Sequence, residues 1–171
     1  MAREIRKAGG DPIFAPTPPL QSLQTILSLA ATDFHGVAKK IRDPKSADRI
    51  QVSFIDISRA YFCAATDPND PTHVELPPED PDHGVLLGHL CKHMHGTRQA
   101  AGGWHCEYAG RLVHDHGFEV GDTSAYVFYH PARELRCSVH GDEITTVGSK
   151  RYLEWFKADL EKFLSSRRPT D

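Results

Sequence analysis

The chain has 171 residues, 20 Lys and Arg against 23 Asp and Glu for a formal net charge of -3, and 39% hydrophobic residues. That apolar content supports one core of ordinary domain size, and the length excludes a second complete domain. The near balance of charge excludes a global attraction to nucleic acid, so any such binding needs a local basic patch.

Residues 1–19 mix Arg3, Arg6 and Lys7 with Gly9-Gly10 and several prolines, which predicts a short extended edge and a rigid turn. Leu20, Leu23, Leu27 and Ala30 then recur at three- and four-residue steps, predicting an amphipathic helix that ends near Thr32-Asp33. Residues 33–49 are polar and irregular. From Ile50 to Ile57 the residues become β-branched and aromatic, predicting a buried strand with Asp56 near its end. Proline and acids dominate 67–82, an exposed loop around the extended piece Thr72 to Leu76, and a second apolar run covers Val85 to Leu90.

After Gly96, the spacing of Ala101, Trp104, Tyr108 and Leu112 predicts a helix, with Gly117 placed to cap its end. Ala125 to Tyr129, Leu135 to His140 and Ile144 to Val147 read as three strands, the last two joined through Gly141-Asp142. Leu153, Phe156, Leu160 and Phe163 mark a final amphipathic helix, followed by a polar tail at 165–171. Strand, helix, strands, helix indicates an α+β fold. With no internal repeat, one compact unit is the working expectation.

Cys63, Cys91, Cys106 and Cys137 form no Cys-x-x-Cys pair, and no charged-then-apolar signal opens the chain. Reduced thiols inside the cell, in cytoplasm or nucleus and not in a secreted protein, are the expectation. No apolar run approaches the ~20 residues of a membrane-spanning helix, so no membrane partner is expected.

Three acids carry the chemistry. Asp56 ends one β-like run and Asp142-Glu143 sits at a hairpin tip. If the two strands lie side by side, the acids converge into a carboxylate cradle for divalent metal ions. The blander readings are a turn-capping acid and a solvated hairpin tip. Cys91, His93, His95, His105, Cys106, His114 and His116 raise a zinc site, but no second pair has finger spacing, and scattered surface histidines are the simpler reading. No Gly-x-Ser-x-Gly elbow supports a nucleophile-and-base enzyme.

Five blocks in order then resemble the reverse transcriptase domain of copia-type LTR retrotransposons. Pro12-Ile13-Phe14-Ala15-Pro16 and the leucine-rich helix after it resemble the family's "TFSPV" segment. Ile55-Asp56-Ile57-Ser58-Arg59-Ala60-Tyr61-Phe62 is similar to its "LDVKNAFL" strand, and Val74-Glu75-Leu76-Pro77-Pro78 to "VYMEQPPGF". His95-Gly96-Thr97-Arg98-Gln99-Ala100-Ala101-Gly102-Gly103-Trp104 resembles "LYGLKQAPRAW", and Val139-His140-Gly141-Asp142-Glu143-Ile144 stands where the family has "VYVDDIL". Three positions depart from the pattern: Glu143 replaces the second acid, His140 the tyrosine and Ala101 the proline. The extra methylene of Glu143 displaces a ligand by about an ångström, a misplacement that costs ~100-fold in rate.

The resemblance implies an incomplete polymerase palm, a ferredoxin-like antiparallel sheet with packed helices, plus part of the fingers. Residues 1–49 would be a fingers edge and helix, 50–164 the palm with an inserted fingers-like loop at 62–96, and 165–171 the tail. It implies RNA-directed DNA polymerisation, the addition of dNTPs to a primer 3′-hydroxyl on an RNA or DNA template. Asp56, Asp142 and Glu143 would be catalytic and metal-binding, with two Mg2+ ions or Mn2+ as cofactor. Tyr61 would close under the incoming sugar beside Ala60, with Gly96, Arg98 and Gln99 as the floor for nucleotide and template. The similarity stops after the helix that follows the acidic pair, so a partial domain is expected, with thumb, connection, RNase H and integrase supplied by the rest of a Pol polyprotein. The alternative is a catalytically inactive retroelement remnant that at most binds nucleic acid or a protein.

Overall fold

The computed structural model describes residues 18–32 and 49–167. The basic N-terminal segment with Arg3, Arg6 and Lys7, the irregular stretch 33–48 and the end of the tail lie outside the described residues. Contacts divide the chain into two compact units, Arg59–Tyr108 being the described part of the first, and 18–32, 49–58 and 109–167 that of the second.

The second unit is built on a five-stranded antiparallel sheet in the order β1-β7-β6-β5-β4. Its strands are β1 (Ile50–Asp56), β4 (Glu119–Gly121), β5 (Ser124–His130), β6 (Leu135–His140) and β7 (Glu143–Ser149). β1 pairs with β7 along its full length, from Ile50 opposite Ser149 to Asp56 opposite Glu143. The β6–β7 hairpin closes on the pair His140–Glu143 through Gly141-Asp142, and Gly141 takes φ 63°. A positive φ at the first central residue alone is the type II′ pattern, which matches strand twist and selects glycine there. β4 is short and carries a register shift at Val120/Gly121.

Alternation along the strands puts Val139, Ile144, Cys137, Thr146, Leu135 and Phe128 on one face, all buried. The helix α3 (Lys150–Arg167) supplies Leu153, Phe156, Leu160 and Phe163 at helical spacing, and all four are buried. Phe118 links the two layers, with ring centroids 5.4 Å from Phe156 and 5.1 Å from His130. A Cβ at Gly148 would run into the buried Leu135 side chain, so β7 needs glycine where β6 presses a leucine across it. The helix α1 (Leu20–Ala31) buries Ile26 and packs on β1, β6 and β7.

The described part of the first unit opens with a 3₁₀ turn, Ala60–Cys63, entered through Arg59 at φ 59°. Its ribbon pairs β2 (His73–Glu75) with β3 (Leu87–His89) in antiparallel register. Leu90 N–H donates to Thr72 O at 3.0 Å and His93 N–H to Ala64 O at 3.0 Å, extending the pairing beyond the strands. Ala64, Val74, Ala100, Trp104 and Tyr108 form its core. The imidazole of His93 packs where a Cβ at Gly103 would stand, so that glycine admits a buried ring against the helix.

The helix α2 (Ala100–Gly110) carries the division between the units after Tyr108, and continues as a π turn over Arg111–Asp115. Phe118 N–H donates to Leu112 O at 2.9 Å while Gly117 holds φ 72°, the left-handed exit expected of a glycine at a helix end. The observed class is therefore α+β, with three helices and an antiparallel sheet among the described residues.

Candidate acidic site at the end of β1 and β7

The β1–β7 register ends in an acidic rung. Asp56, the last residue of β1, stands directly opposite Glu143, the first of β7. Such partners share a sheet face with their Cβ atoms about 4.5–5.5 Å apart. On the other side Glu143 pairs with His140 of β6, so Asp56, Glu143 and His140 form one row across three strands. Asp142 joins through the backbone, its carbonyl accepting the Ile57 N–H at 3.0 Å just past the end of β1.

Asp56 and Glu143 are exposed and Asp142 is half-buried. Among the described residues no ion pair and no side-chain hydrogen bond engages these three carboxylates. Like charges directly opposite on a sheet repel, so this rung is an uncompensated concentration of hard oxygen donors. Among the described residues no three His, Cys, Asp or Glu side chains are grouped to hold a metal ion. Bringing exposed carboxylates onto a common cation costs about 0.5–1.5 kcal/mol of ordering per side chain. The donor chemistry suits magnesium or manganese.

The other five candidate residues lie in the first unit. Ala60 is fully buried and acts as packing. Tyr61 is half-buried and meets His95 edge-on with ring centroids 4.6 Å apart. Gly96 takes φ 85°, and a side chain there would find open space, so its role is the left-handed turn before α2. Arg98 is half-buried, and the Gln99 amide donates to the Asp70 carboxylate.

The cysteines and histidines do not assemble into a zinc site among the described residues. Within the first unit His93 is buried while Cys91, His95 and Cys106 are exposed, and His105 Nδ1 lies 2.7 Å from the Tyr108 hydroxyl. Burial pushes the His93 and His105 imidazoles below the usual histidine range.

Sequence reading missed a polar cluster between the π turn, β5 and α3. Arg111 Nη2 is 3.1 Å from Asp159 Oδ2, and His116 Nε2 is 2.8 Å from the same oxygen, though off the line of a hydrogen bond. Arg133 Nη1 approaches His130 Nε2 at 2.6 Å and lies 3.9 Å from the Trp155 ring centroid. Burial lowers the His116 pKa, with Asp159 opposing, and burial lowers that of His130 with the Arg133 charge adding to it. Pro131-Ala132-Arg133-Glu134 reads locally as a solvated loop, and only the tertiary fold reveals that its arginine covers a tryptophan.

Compared with known proteins, the chain matches no family model, no curated protein and no solved structure.

Proposed function

We propose that the chain is a partial RNA-directed DNA polymerase domain of the copia retrotransposon type, its antiparallel sheet serving as a polymerase palm with Asp56, Asp142 and Glu143 as the acidic site. The observation that carries this reading is the terminal rung of β1 and β7, where acids distant in sequence become neighbours. The five ordered sequence blocks are its second support.

Asp56, Asp142 and Glu143 would hold two magnesium ions, or manganese, which supply Lewis acidity for attack of a primer 3′-hydroxyl on a dNTP. The chain's own part is to hold Asp142 and Glu143 at a hairpin tip beside the end of β1, a placement fixed by the Gly141 turn and the Ile57–Asp142 hydrogen bond. Template, primer and the remainder of a Pol polyprotein would complete the assembly.

The test is magnesium-dependent primer extension by purified protein, with Asp142→Asn beside it. Extension lost in the variant supports the reading, and equal signal from both proteins removes it. A second reading is an inert remnant that at most binds nucleic acid or a protein. It predicts no extension from either protein.

A further inference from the structure

The β2–β3 ribbon carries a pair of histidines outside the acidic site. His73 and His89 are register partners, so both side chains leave the same face of the ribbon. Both are exposed, and their ring centroids lie 5.4 Å apart at an interplanar angle of 31°. Among the described residues neither ring is held by a hydrogen bond or an ion pair. The opposite face is packed: Val74 is buried, and a Cβ at Gly88 would stand 3.2 Å from Leu76 Cδ2. The ribbon therefore turns one side inward and presents the histidine side to solvent.

The separation has a chemical meaning. An imidazole nitrogen binds zinc at about 2.0–2.1 Å, which sets the ring centroid about 3.2 Å from the metal, and two rings on one tetrahedral ion about 5.2 Å apart. The observed 5.4 Å is close to that spacing. A strand rung also fixes the two backbones, so only the side-chain rotamers remain to be ordered when both rings engage one ion.

We propose that His73 and His89 form a chelating site for a divalent transition metal of the zinc, nickel and copper class. Imidazole suits these ions, whereas magnesium takes oxygen ligands, so the site is chemically separate from the carboxylates of β1 and β7. With two protein ligands and no third grouped beside them among the described residues, water completes the coordination and the ion exchanges readily. A bound ion ties β2 to β3, and a two-stranded ribbon gains from such a tie because it is marginally stable alone.

The experiment uses the whole chain. Calorimetric titration with NiCl2 and with ZnCl2 at pH 7.5 is run on the wild type, His73→Asn, His89→Asn, the double variant and His114→Asn as an exposed control. Affinity is expected to fall at least tenfold in either single variant, to fall little further in the double variant, and to stay unchanged in the control. Excess MgCl2 should not compete, because magnesium takes oxygen ligands. On the wild type, the ring resonances of His73 and His89 should be the first to shift with zinc, a readout independent of whether any variant folds. Wild-type affinity in the double variant, first shifts at other histidines, or no binding to the wild type would each overturn the proposal.

Discussion

Asp56 and Glu143 face each other on the last rung of β1 and β7 with no cation beside them among the described residues. Removing one charge should relieve their repulsion. Asp56→Asn is expected to raise stability in EDTA by up to about 1 kcal/mol in urea unfolding, and to lose any extra stability that magnesium gives the wild type. A destabilised variant would mean that the rung is not under repulsion.

Glu143 supplies its carboxylate from one methylene further out than aspartate does. If the acidic rung performs polymerisation, Glu143→Asp should raise primer extension by as much as about 100-fold, while Glu143→Gln abolishes it. Extension that falls in both variants would show that the longer side chain is the fitted one.

Acid should destabilise the fold through its buried histidines. His93, His116 and His130 have pKa values lowered by burial, so the unfolded chain binds protons that the folded chain refuses. Their contribution is complete above about pH 6.5 and is lost as pH falls below that value toward the folded pKa, at up to about 1.4 kcal/mol per pH unit for each group. Urea midpoints measured from pH 7.5 to 5 should fall, and His116→Asn should flatten the slope. A slope unchanged in the variant would assign the acid sensitivity elsewhere.

The four thiols should separate into two classes. Cys91 and Cys106 are exposed, whereas Cys63 and Cys137 are buried, and burial pushes the Cys137 thiol up to about 12. Ellman's reagent at pH 8 should titrate two thiols promptly in the native protein and four after denaturation. Prompt reaction of all four in the native state would contradict the packing of β6.

Two glycines are placed to show how the β6–β7 hairpin is held. Gly148→Ala should cost about 1–3 kcal/mol by overpacking against Leu135, and Gly141→Ala about 1 kcal/mol or more because of its positive φ. Thermal melts of the two variants measure both, and Gly148→Ala should be the less stable.

The elements that sequence reveals are those whose residues repeat with a period. Leu20 to Ala30, the strands from Ala125 to Val147 and the helix of Leu153, Phe156, Leu160 and Phe163 sit where alternation or helical spacing places them, whereas Ile50 to Asp56 is a strand but not the buried one expected: among the described residues it borders the sheet, and Phe54 is 71% exposed. β4 escaped because three residues, Glu119, Val120 and Gly121, are too few to show a pattern. The run Val85 to Leu90 is apolar, yet Leu87 is 49% exposed, because β3 pairs with β2 alone in a two-stranded ribbon that buries only its Val74 face. Asp56, Asp142 and Glu143 were readable as candidates from their places at a strand end and a hairpin tip, but their rung depends on β1 lying beside β7, which no local signal encodes. The His73–His89 pair was hidden for the same reason: register across a proline-rich loop is a tertiary fact.

The two borders of the five-stranded sheet are unlike. β4 is three residues long and kinked by its register shift, a form that discourages further pairing. β1 is seven residues long, pairs on one side only among the described residues, and shows Phe54 71% exposed. Among the described residues, then, the outer side of β1 carries the longer row of backbone groups without a strand partner and β4 the shorter, so the two borders differ in their capacity to accept a further strand.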